Sequence, residues 1–247
     1  MRLVNKSRFG SLSMHDARPL FSGMPQVVIL AGGLGTRLGQ ITESIPKSLV
    51  KVDDKPIISH ILDWISIQGC DRALILTGHL GKQFEDYSHD SVSLTFVQES
   101  QPLGTGGALW NAVDFLESEF ILLWGDDFHP INYHDLVSNH KNGTNLITMT
   151  VTESHETMNL LHQDGKILQY DKRNTLSKFN GYEAGTSIVS KQVVLLFGRD
   201  GKWSWEETVY PNLSGRIGAH LDNTKFWDMG TPERLSKLSE FLKSQRA

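Results

Sequence analysis

Apolar residues fall along this chain in short runs separated by turn chemistry, and the runs alternate in character. Val27-Val28-Ile29-Leu30 is a continuous apolar stretch with no polar alternation, the pattern of a strand covered on both faces. Pro56 opens a stretch from Ile57 to Ile65 in which apolar residues recur at helical spacing, and Gly69 closes it. Arg72–Thr77 reads as a second strand, residues 80–87 as a short helix, and Ser93–Val97 as a third strand. A helix over 107–117 and a buried strand over Phe120–Trp124 follow. Leu146–Val151 and Ile167–Tyr170 are two more strands, the second entered through an Asp164-Gly165-Lys166 hairpin turn. Asn142-Gly143 and Asn180-Gly181 read as turns, residues 36–48 as a surface segment, and the stretch holding His155 and His162 as irregular. Strand–helix–strand rhythm of this kind predicts an α/β fold, a mostly parallel sheet flanked by helices. No internal repeat or low-complexity segment interrupts it.

Composition changes this picture little. A chain of 247 residues is long enough for one sizeable α/β domain with a small subdomain. The formal net charge of -4 argues against a nucleic-acid footprint. Cys70 is the single cysteine, so no internal disulfide is available, and a reducing, cytoplasmic setting is the expectation. No apolar run approaches the roughly 20 residues of a membrane span. Residues 1–24 stand apart: Arg2, Lys6, Arg8 and Arg18 face one acid, Asp16, and there is no apolar signal core. They read as a disordered extension or as an upstream start with Met24 the true one, a transit peptide being the remaining option. The domain proper is expected over 25–247. The ten histidines show no helical i, i+4 pair with an accompanying Glu, and are expected to be mostly solvated.

The chemistry-bearing stretch begins where the first strand ends, at Ala31-Gly32-Gly33-Leu34-Gly35-Thr36-Arg37-Leu38. Glycines there turn the chain tightly and bring backbone N–H groups close to a ligand, which suits a phosphate. Arg37 adds a planar, permanently charged fork. A dinucleotide fingerprint fails because its third glycine would fall on Leu38, and a P-loop fails because Pro46, not Gly, precedes Lys47-Ser48. Asp126-Asp127 follow the Phe120–Trp124 strand, where open α/β sheets bind ligands, and an Asp pair there is a Mg²⁺ candidate.

Four segments together carry a resemblance: the glycine loop, its continuation Ile45-Pro46-Lys47-Ser48-Leu49-Val50, the later Leu103-Gly104-Thr105-Gly106-Gly107-Ala108, and Phe226-Trp227-Asp228-Met229-Gly230-Thr231-Pro232-Glu233. Over about residues 25–240 the chain resembles the sugar-1-phosphate nucleotidyltransferases. It departs at Gly39-Gln40-Ile41, where many members carry Pro-Leu, and at Glu183, where Asn is commoner. The resemblance implies a Rossmann-like, GT-A-like single domain with a small sugar-binding subdomain, and because the chain ends soon after residue 240 no appended β-helix acyltransferase domain is expected. It implies Arg37 and Lys47 as catalytic cations, and Leu30, Ala31, Gly32, Gly33, Gly35, Thr36, Gln98, Gly104, Thr105 and Gly106 around the nucleotide. Gln98 and Gly104 would lie against the base. Sugar-phosphate contacts would come from Asp127, from Lys172 or Arg173, and from Glu183, Gly185 and Glu206. Asp127 is also readable as a turn cap, and Glu206 and Glu207 as helix caps. Asp126 and Asp228 would hold Mg²⁺, and Thr231-Pro232-Glu233 would start the last helix.

The implied reaction joins a nucleoside triphosphate to a sugar 1-phosphate, releasing pyrophosphate and giving a nucleotide sugar for surface polysaccharide. A homodimer is compatible with the resemblance. Length and motif are most like the guanylyltransferases for manno-heptose and mannose 1-phosphates. Thymidylyl, uridylyl and cytidylyl transfer stay open, as do a nucleotide-sugar glycosyltransferase and a non-catalytic sugar-nucleotide sensor.

Overall fold

The computed structural model describes residues 23–33, 35, 38–173 and 178–244. Residues 1–22 of the extension expected over 1–24, and Leu34, Thr36 and Arg37 of the glycine loop, lie outside the described residues. The Met24 side chain is part of the core.

Thirteen strands are described in chain order: β1 (Gln26–Ala31), β2 (Lys51–Val52), β3 (Lys55–Pro56), β4 (Arg72–Thr77), β5 (Ser93–Gln98), β6 (Glu119–Trp124), β7 (Asp127–Phe128), β8 (Ile147–Thr152), β9 (Leu160–Gln163), β10 (Lys166–Tyr170), β11 (Tyr182–Ser190), β12 (Ile217–Leu221) and β13 (Trp227–Asp228). The helices are α1 (Ile41–Ser44), α2 (Ile57–Ile67), α3 (Gly104–Asn111), α4 (Tyr133–Lys141), α5 (Lys191–Phe197), α6 (Trp205–Asn212) and α7 (Pro232–Ser244). Nine strands form one sheet in the order β5-β4-β1-β6-β11-β8-β12-β10-β9. Only β10 and β11 run against the sense of the other seven. The mostly parallel sheet expected from the strand–helix rhythm is therefore present, with β11 reversing direction next to β6.

Every residue of β1 is buried. Val27, Ile29 and Ala31 point into one core with α2 and α7, while Val28 and Leu30 point into another with Leu109 of α3 and Trp205 of α6. Two apolar cores explain the missing polar alternation, since each parity of the strand has its own greasy partner.

Several local expectations differ. Residues 80–87 hold only a 3₁₀ turn at Gly81–Phe84, entered by Leu80 with φ of 57°. The helix expected over 107–117 is α3, which starts at Gly104 and ends at Asn111, followed by a 3₁₀ turn at Val113–Phe115. Asn180-Gly181 is no turn: Gly181 bridges Leu160, and the Asn180 side chain accepts from the His162 amide at 2.9 Å. His162 itself lies in β9, not in irregular chain. The histidines are less solvated than expected, because His60, His129, His140 and His162 are buried. His60 and His129 find neutral partners, the Val52 carbonyl at 2.7 Å and the Thr224 carbonyl at 3.0 Å, whereas His140 lies between the Thr148 hydroxyl at 2.7 Å and Glu119 at 3.4 Å, and His162 lies 3.1 Å from Glu153.

The second glycine cluster is shaped by the chain's own Trp203. The Trp203 amide donates to the Leu103 carbonyl at 2.9 Å, and the Gly106 amide donates back to the Trp203 carbonyl at 3.1 Å. A Cβ on Gly106 would stand 2.1 Å from the Trp203 ring, while one on Gly33 would meet nothing within 4 Å. Gly106→Ala is therefore expected to cost about 1–3 kcal/mol of stability through overpacking. Gly33→Ala should stay within about 0.5 kcal/mol of wild type. Urea midpoints of the two variants check this; equal losses would contradict it.

Candidate active site

The carboxyl ends of β1 and β6 lie side by side, Leu30 opposite Trp124, and the Gly125 amide donates to the Leu30 carbonyl at 2.9 Å. Whatever follows the two strands must therefore share one place. After β1 come Gly32 and Gly33; after β6 come Gly125, Asp126 and Asp127. Pro46-Lys47-Ser48 folds back over this edge, with Lys47–Leu49 in a 3₁₀ turn. A Cβ on Gly125 would stand 2.7 Å from the Ser48 hydroxyl, so glycine lets that turn settle against the strand end. The Lys47 ammonium then forms an ion pair with Asp126.

A cavity of about 300 Å³ opens at this edge. Of the residues expected around the nucleotide, Leu30, Ala31, Gly32, Gly33, Gly104 and Thr105 line it, together with Lys47 and Asp126. Gln98 and Gly106 are absent from its wall. Gln98 turns instead toward Gly81, and the wall takes Glu99, one residue further and therefore on the opposite face of the extended chain. Gly106 faces Trp203, as described above. Gly35, with φ of 65°, packs on Thr42, whose hydroxyl donates to its carbonyl at 2.8 Å. Thr36 and Arg37 lie outside the described residues. Lys202 also lines the cavity. Its sequence setting, Gly201-Lys202-Trp203, reads as ordinary surface and gave no signal.

Glu99 receives the Leu103 amide at 3.0 Å. Burial nevertheless raises its carboxyl above the ordinary range.

Beside the cavity stands a group of acids. Asp127 and Asp228 face each other in the two-stranded β7/β13 ladder, and the Met229 amide donates to the Asp126 carbonyl at 3.1 Å. Asp228 accepts from the Gly230 amide at 2.6 Å and is ion-paired with Arg234. Burial, then the charges of Asp126 and Asp228, push the Asp127 carboxyl well up. Asp127 is thus a strand residue facing other acids, not a turn cap. Among the described residues, no three His, Cys, Asp or Glu side chains converge as a metal cage.

The residues expected on the sugar side are placed by β11, α6 and the segment after β10. Strand β11 carries a bulge between Glu183 and Ser187, and Gly185 within it has φ of 74°. A Cβ there would meet Trp124 at 2.9 Å. The Glu183 carboxylate takes hydrogen bonds from the Gly185 amide and the Trp124 indole, yet burial and the nearby Glu206 push it up to about 7. Glu206 is buried: burial would raise it, but Lys172 at 2.7 Å and the Thr105 hydroxyl at 2.7 Å outweigh that and leave it below the ordinary range. Helix α6 is capped by Ser204, which accepts from the Glu207 amide, so neither Glu serves as its N-cap. Of the basic pair left open by the sequence, Lys172 turns inward to Glu206, while Arg173 is exposed and stands 3.8 Å from Glu207.

Residues 26–159 match the family model described as Nucleotidyl transferase. The D-glycero-alpha-D-manno-heptose 1-phosphate guanylyltransferase of Campylobacter jejuni is 29% identical over 213 residues, spanning 84% of this chain and 96% of that protein. A crystal structure of HddC from Yersinia pseudotuberculosis is similar with a TM-score of 0.76 at 27% identity, over 89% of this chain and 100% of that one. A structure of HddC complexed with GMP-PN is similar with a TM-score of 0.75 at 28% identity, over the same shares.

Glu183 gives stability a pH dependence whose sign follows from its environment. Between its ordinary value of 4.5 and about 7, the folded chain holds a proton that the unfolded chain has released. Acidification across that window favours the folded state, and that stability is lost as pH rises through 7. Glu183→Gln keeps an acceptor for Trp124 and Gly185 but carries no charge. Its Tm is expected to exceed wild type at pH 8 and to converge on it by pH 5. A difference that does not change with pH would contradict this.

Proposed function

This chain belongs to the nucleotidyl transferase family and is a sugar-1-phosphate nucleotidyltransferase, and within that reaction we propose that the nucleotide is GTP and the sugar a manno-configured heptose or hexose 1-phosphate. The observation that carries the choice of base is the carboxylate of Glu99 in the cavity wall. Guanine offers two adjacent donors, N1–H and the exocyclic amine, to such a carboxylate. Uracil and thymine offer one donor between two carbonyls, which a carboxylate repels. Lys202, on the same cavity, is a donor suited to the guanine O6. The similarity to heptose 1-phosphate guanylyltransferase supports the sugar class.

In the proposed step a sugar-phosphate oxygen attacks the α-phosphorus of the triphosphate. A new Pα–O bond forms, the bond to the bridging β-phosphate oxygen breaks, and pyrophosphate leaves with its electron pair. The nucleophile is already an anion, so no general base is required. The need is for positive charge and alignment. Lys47 at the cavity wall and Arg37 in the loop are assigned that task, with the amides of Gly32 and Gly33 beside the phosphates. Glu183, Gly185 and Asp127 are assigned to the sugar side, and Lys172 to its phosphate.

The acids Asp126 and Asp228 are assigned to Mg²⁺. The donor chemistry fits: hard carboxylate oxygens from two residues, with phosphates to complete the shell. The Asp127 carboxyl, raised first by burial and then by the charges of Asp126 and Asp228, sits among negative charge that a cation there would relieve. When bound, Mg²⁺ supplies Lewis-acid charge to the phosphates. Among the described residues, no helix is long and apolar enough to cross a membrane. The cytoplasm is the proposed setting, and surface-polysaccharide synthesis the proposed use of the product.

The test is pyrophosphate release from GTP, UTP, CTP and dTTP against a panel of sugar 1-phosphates. GTP with a manno-configured partner is expected to exceed every other pair, and Glu99→Gln to erode that preference; equal turnover with UTP would overturn it. Lys47→Ala is expected to lose on the order of 10²-fold in rate. EDTA is expected to abolish turnover, and Asp126→Asn and Asp228→Asn each to raise the Mg²⁺ concentration needed. Unchanged activity in EDTA would remove the metal from the account.

A further inference from the structure

Glu206 joins two motifs a hundred residues apart. Its Oε1 accepts from the Lys172 ammonium at 2.7 Å. Its Oε2 accepts from the Thr105 hydroxyl at 2.7 Å and the Ser204 hydroxyl at 3.2 Å. The Thr105 oxygen in turn accepts from the Trp205 amide at 2.8 Å. Thr105 has one hydroxyl proton, and it is spent on Glu206. Glu206 is 7% exposed, whereas the Lys172 side chain is 48% exposed. In this chain of contacts Thr105 belongs to the cavity wall and Lys172 reaches solvent; the buried carboxylate between them touches neither opening.

We infer that Glu206 is a positioning residue rather than a sugar ligand: it ties the nucleotide cavity wall, through Thr105, to the sugar-phosphate lysine, so that filling either substrate site favours filling the other. This rests on the preceding assignment of Lys172 to the sugar phosphate. Both Glu206 oxygens are already engaged by donors of this chain, which leaves a sugar hydroxyl poorly served. Lysine carries three donors, so one N–H stays on Glu206 while the others face the phosphate. Pulling Lys172 away altogether would strip a buried carboxylate of its counter-charge, a costly state. Lys172 therefore binds phosphate from a direction that Glu206 sets. Because the same carboxylate fixes the Thr105 hydroxyl, a nucleotide pressing on that wall steadies Glu206 and hence Lys172. Linkage requires the effect to be reciprocal.

The experiment measures the Kd of D-mannose 1-phosphate, or of the sugar 1-phosphate the panel selects, by calorimetry. It is run with and without a GTP analogue carrying a methylene between the α- and β-phosphorus. Wild type is expected to bind the sugar phosphate about 5- to 50-fold tighter when the analogue is present. Glu206→Gln keeps an acceptor for Thr105 but no charge for Lys172, and its ratio is expected to fall within about twofold of unity. Thr105→Val breaks the other end of the link and should lose the ratio as well. Circular dichroism verifies that each variant is folded, and Thr105→Val carries the test if Glu206→Gln is not. A wild-type ratio kept in a folded Glu206→Gln overturns the inference, as does equal weakening with and without nucleotide, the mark of a plain sugar contact. Lys172→Met separates the underlying assignment: if it leaves sugar-phosphate affinity unchanged, Lys172 does not meet the phosphate, whatever Glu206 does.

Discussion

The parallel pairing of β1 with β6 is the constraint on which the site depends. It sets Leu30 beside Trp124 and closes with the Gly125 amide on the Leu30 carbonyl. β1 is buried through its length and β6 from Phe120 to Leu123, and a slip of one residue would exchange the two apolar cores that sandwich them. With the register fixed, the glycines after β1 and the acids after β6 have nowhere else to go. Gly125 completes the arrangement by leaving room for Ser48, which brings Lys47 onto Asp126. A larger residue at 125 would press on Ser48 and the Leu30 carbonyl together.

Charge is the second organising quantity. Asp126, Asp127, Asp228, Glu183 and Glu206 gather along one side of the sheet edge, and three of them have a cation in contact: Lys47 on Asp126, Arg234 on Asp228, and Lys172 on Glu206. Asp127 and Glu183, with no ion-pair partner among the described residues, are pushed upward, first by burial and then by their acidic neighbours. The ion pairs divide the negative charge of these acids. They also hold the Lys47 and Lys172 ammonium groups in place, and a lysine already held in place costs less to order on binding an anion.

Much of this was legible in the sequence, for identifiable reasons. The buried strands β1, β4 and β6 and helix α2 announce themselves by apolar periodicity, which burial on two faces or one dictates directly. The motif residues of the cavity wall were legible because a turn that must bring backbone near a ligand needs glycine. What periodicity cannot supply is the parity of a strand's last residue. That is how Gln98 was named where Glu99 faces the cavity. Composition was equally silent on why Gly106 is glycine, since its neighbour, Trp203, is distant in sequence. The burial of His60 and His129 leaves no charge pattern in the sequence, because their partners, the Val52 and Thr224 carbonyls, are neutral, and the carboxylates near His140 and His162, Glu119 and Glu153, are brought there by tertiary packing. Lys202 and Arg234 have no motif at all; tertiary packing alone brings one to the cavity and the other to Asp228.

Asp126 after β6 and Asp228 in the β7/β13 ladder are proposed to act on one shared cation beside the phosphates. Crystals grown with Mn²⁺ in place of Mg²⁺ and with the methylene-bridged GTP analogue test it directly through the anomalous scattering of manganese. A single strong peak is expected at bonding distance from both carboxylates and from a phosphate oxygen, with Lys47 and Arg234 displaced from or sharing their acids. A peak held by only one of the two aspartates, or none at this edge while nucleotide is bound, would contradict it.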